Sequence, residues 1–77
     1  MDTLSQVVEI LTKIKPEVDY AVANDLITGG VLDSFNIVSI INTLNETFDI
    51  DITIGELRPE NLDSAPAIAE LVERLMD

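Results

Sequence analysis

Ser34 is the residue on which the chemistry of this chain turns. It follows Asp33, lies shortly after the Gly29-Gly30 pair, and has Val31, Leu32 and Phe35 as apolar neighbours. A serine hydroxyl becomes a nucleophile when a nearby base takes its proton, and the usual base near neutral pH is histidine. The chain has no His and no Cys. Ser34 therefore has no imidazole to activate it, and thiolate nucleophiles, disulfides and Cys-based metal sites are excluded as well. Lys13 and Lys15 are the only amine bases, and a carboxylate pair is the only other route to acid–base work. An enzyme is not expected. Ser34 makes better sense as a residue that another enzyme modifies: the free N–H groups and dipole of a helix N-terminus favour a phosphate attached there. The plain alternative is a serine that only takes part in a helix cap. Asp49 and Asp51 are a second candidate pair, but full Ca²⁺-loop spacing is absent. They read as a solvated acidic loop, and no metal site is assigned.

The elements that must position Ser34 follow from periodicity. Leu4, Val7, Val8, Ile10, Leu11 and Ile14 fit one face of a helix, with Thr3 as N-cap, spaced from Gln6 as in a capping box, and Pro16 as the stop. Residues 16–33 form a long connection. Asn24, Asp25, Thr28, Gly29 and Gly30 mark its turns, and Tyr20, Val22, Leu26, Ile27, Val31 and Leu32 are expected to pin it to the core. Asp33 is a good N-cap for a second helix running to Phe48. At about 100° per residue, Ile37, Ile40, Ile41, Leu44 and Phe48 form its core stripe. Ser34, Phe35, Val38, Asn42, Asn45 and Glu46 share another face, so Phe35 and Val38 are apolar residues outside the core stripe. The alternative for Phe35 is that it tucks under the preceding loop.

Residues 49–54 alternate strictly, which is the period of a strand. No second strand exists to pair with it, so an extended loop whose isoleucines dip into the core is expected. Pro59-Glu60-Asn61-Leu62 fits one short helical turn. Asp63 or Ser64 then caps a final helix with Ile68, Leu71, Val72 and Leu75 inward and a Glu70–Arg74 pair on its flank.

The 77 residues, 47% hydrophobic and 25% charged, make one globular domain over 1–77 with a core of about 15–20 mostly aliphatic side chains. No apolar run approaches the roughly 20 residues that span a bilayer, and no signal-peptide pattern is evident at the N-terminus. Fifteen acidic and four basic residues give a formal net charge of −11. Such a field repels nucleic acid and anionic membranes, and it attracts basic protein surfaces. Solubility alone is the bland reading of the same charge.

The segment Gly30-Val31-Leu32-Asp33-Ser34-Phe35 resembles the attachment motif of the acyl carrier proteins, the phosphopantetheine-dependent carriers, in which Asp-Ser-Leu is the usual form. The resemblance extends to Leu26-Ile27, to Phe48-Asp49-Ile50, and to Pro59-Glu60-Asn61-Leu62-Asp63-Ser64. It implies an all-α, four-helix bundle with three main helices, one short helix and a long first loop. It also implies that Ser34 carries 4′-phosphopantetheine, donated by coenzyme A, with Asp33 read by the phosphopantetheinyl transferase. The cargo would ride as a thioester on the arm's sulfur, which lets a chain without Cys do thioester chemistry. Phe35, Val38, Asn42 and Glu46 would form the partner face. Loading would fall to an ATP-dependent acyl or aminoacyl ligase or an acyltransferase, with the protein a cytoplasmic monomer serving fatty-acid, polyketide or nonribosomal-peptide synthesis. Asn36 and Ser39 stand where fatty-acid carriers place acids, and Asn42 replaces a hydrophobe. The Pro59–Ser64 stretch is more like stand-alone carriers of amino acids or specialised acyl groups, a set that includes the D-alanyl carriers of teichoic acid. The reading from a different class is a helical protein-interaction domain in which Ser34 is only a cap.

Overall fold

The first helix, α1 (Thr3–Ile14), is capped one residue earlier than its sequence suggests. Asp2 has extended backbone, and its Oδ1 accepts from the Ser5 N–H at 2.8 Å. Thr3 is already helical, so its capping-box spacing to Gln6 is coincidental. At the other end the Tyr20 hydroxyl donates to the Lys15 carbonyl at 2.8 Å and lies 3.3 Å from that of Leu11. The Leu11 carbonyl already accepts from the Lys15 N–H at 2.8 Å, so the loop side chain chiefly serves the Lys15 carbonyl at the helix end.

The computed structural model describes residues 2–76, and every regular element among them is helical. After α1 come α2 (Ser34–Phe48), a 3₁₀ turn (Ile54–Glu56), α3 (Pro59–Leu62) and α4 (Ala65–Met76). α1 packs against both α4 and α2, and α3 packs on α4. The radius of gyration is 11.1 Å, close to the roughly 11.5 Å expected for a compact chain of this length. No helix is long and apolar enough to cross a membrane.

The aliphatic core draws on every helix and on the long loop. Val7, Leu11, Leu44, Ile68, Leu71 and Val72 are fully buried, and so is Leu26 from the loop. Each contributes on the order of 1.5–3 kcal/mol by leaving water. Tyr20 and Leu32 are buried too, so the loop is a packed layer over the helices. Val22 does not join it: 75% exposed, it faces solvent where the backbone turns on the Asp19 carbonyl.

Residues 50–53 carry no regular structure and pair with no strand among the described residues. Ile52 is buried and Ile50 half-buried, but Ile54 is 87% exposed, because the alternation ends where the 3₁₀ turn begins. Asp49 ends α2 in the left-handed region at φ 55°, a conformation that short polar side chains tolerate. Asn45, placed by the wheel on the outer face, is half-buried and accepts from the Ile52 N–H at 2.9 Å. Ser64 caps α4, its Oγ accepting from the Ala67 N–H at 3.2 Å. Arg74 does not pair with Glu70. It donates to Asn61 Oδ1 at 3.2 Å, and Asn61 Nδ2 donates to the Glu56 carbonyl at 2.9 Å, which links α4, α3 and the 3₁₀ turn.

Candidate functional site

Asp33 fixes where α2 begins. Its backbone is extended, and its Oδ1 accepts from the Asn36 N–H at 2.8 Å while the Asn36 side chain accepts from the Asp33 N–H at 3.2 Å. This reciprocal capping box makes Ser34 the first residue of the helix. Ser34 is exposed. The N–H groups of Ser34 and Phe35 have no acceptor within a helix that starts there. Among the described residues nothing bonds the Ser34 hydroxyl, and no base stands on it. The serine is thus presented to solvent at the positive end of a helix dipole with no means of its own to react.

The remaining candidates lie along the solvent side of α2. Phe35 is 79% exposed and Val38 58% exposed, so Phe35 does not tuck under the loop. Asn42 and Glu46 are exposed as well. From Ser34 to Glu46 the helix rises about 18 Å. Two apolar side chains therefore stand next to Ser34, and polar Asn42 and acidic Glu46 follow further along. Asp33 supplies a second exposed acid at the near end.

The loop leading into Ser34 is held from below. Leu26 N–H donates to the Asp63 carbonyl at 2.9 Å, and Leu32 N–H donates to the Leu26 carbonyl at 2.9 Å. The Asp63 carboxylate takes the next two amides: its Oδ1 accepts from Ile27 N–H at 2.8 Å and from Thr28 N–H at 2.9 Å, and its Oδ2 accepts from the Thr28 hydroxyl at 3.2 Å. The Thr28 N–H, joined by that of Ile27, holds this carboxyl below its usual value. Gly29 and Gly30 are required for separate reasons. A Cβ on Gly29 would stand 2.7 Å from the Asp25 carbonyl oxygen, whereas Gly30 sits at φ +70° with open space around it. Of the two residues expected as the cap of α4, Asp63 or Ser64, Ser64 takes that place, and the role of Asp63 in the loop is one that sequence reasoning missed. Its one local signal is that Asp63-Ser64 offers two capping residues for a single helix start.

Behind the start of α2, Leu32, Ile37, Ile40, Leu62 and Ile68 surround a cavity of about 10 Å³, no more than one water molecule requires. Larger hollows lie elsewhere, about 330 Å³ between α1 and α2 and about 470 Å³ between α1, Tyr20 and Pro66, and none of Asp33, Ser34, Phe35, Val38, Asn42 and Glu46 lines either. Among the described residues no three acidic side chains converge as a metal site would require.

No family model matches the chain. Curated proteins do, over the full length. A D-alanyl carrier protein of Lactobacillus delbrueckii subsp. bulgaricus is 32% identical over 79 aligned positions, covering 100% of this chain and 98% of the relative. The D-alanyl carrier protein of Streptococcus gordonii is 34% identical over 76 positions, covering 97% of this chain and 96% of its own. That of Streptococcus mutans is 33% identical with the same coverage.

Proposed function

The chain belongs to the acyl carrier protein family, the phosphopantetheine-dependent carriers, and on that premise we propose that it carries D-alanine on a 4′-phosphopantetheine arm attached to Ser34. It is a carrier and not an enzyme. The observation that carries the proposal is the exposed, unbonded Ser34 hydroxyl at the start of α2, in a chain that aligns end to end with D-alanyl carrier proteins.

The residues around Ser34 fit such an arm. The hydroxyl is open to a transferase, the first N–H groups of α2 face an attached phosphodiester, and nothing stands within 4 Å of a Cβ built on Gly30. When bound, the arm supplies a terminal thiol that holds the cargo as a thioester. The chain's own part is to present, orient and be recognised. Asp33 sets the helix start and lies beside the hydroxyl to be modified. Phe35 and Val38 offer apolar contact, Asn42 offers polar contact, and Glu46 offers charge to a basic partner surface. The partners proposed for this face are a phosphopantetheinyl transferase and an ATP-dependent D-alanine ligase in the cytoplasm.

Cargo size also favours D-alanine. With only about 10 Å³ behind the start of α2, a long acyl chain would have to part α2 from α3 and α4 to be sheltered. None of the relatives named above is a fatty-acid, polyketide or nonribosomal-peptide carrier. The test is intact-mass analysis of armed protein offered D-alanine with ATP and a D-alanyl ligase, or a long fatty acid with ATP and an acyl ligase. A hydroxylamine-labile mass gain with D-alanine is expected. Efficient loading with the fatty acid and none with D-alanine would assign the chain to fatty-acyl carriage instead.

A further inference from the structure

Asp63 lies 35 residues from Thr28 in sequence, yet it is the most heavily used acceptor near the site. Its main-chain oxygen takes Leu26 N–H, and its carboxylate takes Ile27 N–H, Thr28 N–H and the Thr28 hydroxyl. Three successive loop amides thus converge on one residue of the α3–α4 junction. Leu32 N–H closes the loop back onto Leu26, and Leu32 directly precedes Asp33, the cap of α2. A short hydrogen-bonded path therefore runs from Asp63 through Leu26 to Leu32, which is joined through Asp33 to Ser34. The Asp63 carboxylate is not needed to cap α4, since Ser64 does that. Among the described residues, the partners of its carboxylate are all in the loop that delivers Ser34.

We propose that Asp63 is a positioning residue for the modification of Ser34: by fixing the Ile27 and Thr28 amides it holds the Gly29-Gly30 turn, and with it the approach to Ser34, in the orientation that a phosphopantetheinyl transferase recognises. The inference rests on the reading of Ser34 as the arm site. Without the carboxylate, the main-chain bond from Leu26 and the buried Leu26 and Leu32 remain. The chain stays folded, but the turn is no longer pinned. A displacement of about 1 Å at a reacting group is enough to cost up to about a hundredfold in rate.

The experiment compares wild type with Asp63→Ala, Asp63→Asn and Asp63→Glu, using coenzyme A, a phosphopantetheinyl transferase and intact-mass kinetics, together with amide hydrogen exchange on each protein before arming. Asp63→Ala is expected to lower kcat by roughly tenfold or more with KM within about twofold, and to speed exchange at Ile27 and Thr28 by at least about tenfold. Asp63→Asn keeps one oxygen for both amides, so it should recover most of the rate and of the protection. Asp63→Glu keeps the charge but moves it by one methylene, and should behave like Asp63→Ala. Asp2→Ala removes another carboxylate-to-amide hydrogen bond, the cap of α1, far from Ser34 in the chain, and should leave kcat unchanged. Wild-type kcat in Asp63→Ala, a loss confined to KM, or an Asn variant as slow as the Ala variant would each overturn the role. Should Asp63→Ala not fold, wild-type kcat in Asp63→Glu would do so. A wild-type protein that gains no arm at Ser34 would overturn the site reading and the positioning role with it. An armed wild type with an equally fast Asp63→Ala would overturn the positioning role alone.

Discussion

Replacing Phe35 with alanine separates a docking residue from a core residue. A fully buried Phe→Ala change costs about 3–5 kcal/mol. Phe35 is 79% exposed, so only about a fifth of that cost applies, roughly 0.6–1 kcal/mol, and the better helix propensity of alanine returns about half a kcal/mol. The net loss is about half a kcal/mol or less, which moves Tm by at most about 4 °C in a domain of this size. Leu44→Ala on the opposite side of the same helix removes a fully buried side chain and should cost about 2–5 kcal/mol. An exposed aromatic used as an anchor is worth about 1–3 kcal/mol to a partner, which corresponds to roughly a 5- to 150-fold rise in Kd. Thermal unfolding by circular dichroism and steady-state arming and loading of both variants provide the test. Phe35→Ala should unfold near wild type and load poorly. A Tm drop as large as that of Leu44→Ala would show that Phe35 is packed in solution. Normal stability with normal loading would show that the exposed ring is not an anchor.

Three other outcomes follow from charge and hydrogen bonding. Glu46→Lys should slow arming or loading most at low salt, because an exposed charge acts on encounter rate within a Debye length of about 10 Å at 0.1 M; salt dependence equal to wild type would show that this acid steers no partner. The Asp63 and Asp2 carboxyls are held below their usual 3.8 by the Thr28 and Ser5 N–H groups respectively. Each therefore contributes stability above about pH 3.8 that is lost as pH falls through its lower folded value. Carboxyl NMR should give midpoints below 3.8 for both, and Asp63→Asn should lose less stability than wild type on acidification. With a net charge of −11, NaCl and millimolar Mg²⁺ should both raise Tm by screening self-repulsion; an effect of stoichiometric Mg²⁺ alone would point to a specific site at Asp49 and Asp51.

What could be read in advance was local. The start of α2 was legible because an N-cap works within three residues, and its core stripe because helical period is a property of consecutive positions. Even so, the capping of α1 was placed one residue late, since the Thr3–Gln6 spacing mimics a box that Asp2 makes unnecessary. The isoleucines at 50, 52 and 54 share a period, but only a backbone that stays extended would bury all three, and the 3₁₀ turn at Ile54 breaks it. Val22 and Asn45 exchanged roles for the same kind of reason: a polar side chain that reaches an extended amide can be sheltered, and a valine at a turn can face water. Asp63 was beyond reach. Its partners are 35 and 36 residues away, and no pattern of neighbours marks a carboxylate that turns from its own helix to another loop.

The central claim is that Ser34 carries the arm, and site-resolved mass spectrometry tests it most directly. Wild type and Ser34→Ala are incubated with coenzyme A and a phosphopantetheinyl transferase, then cleaved with trypsin after Lys13 and Arg74, since Pro16 and Pro59 block Lys15 and Arg58, which leaves Ser34, Ser39 and Ser64 on one peptide for site-resolving fragmentation. The account predicts a single phosphopantetheine on Ser34 in wild type and none on Ser34→Ala, which stays folded because Asp33 supplies the cap. An arm on Ser5, Ser39 or Ser64, or an arm that Ser34→Ala still acquires, would contradict it.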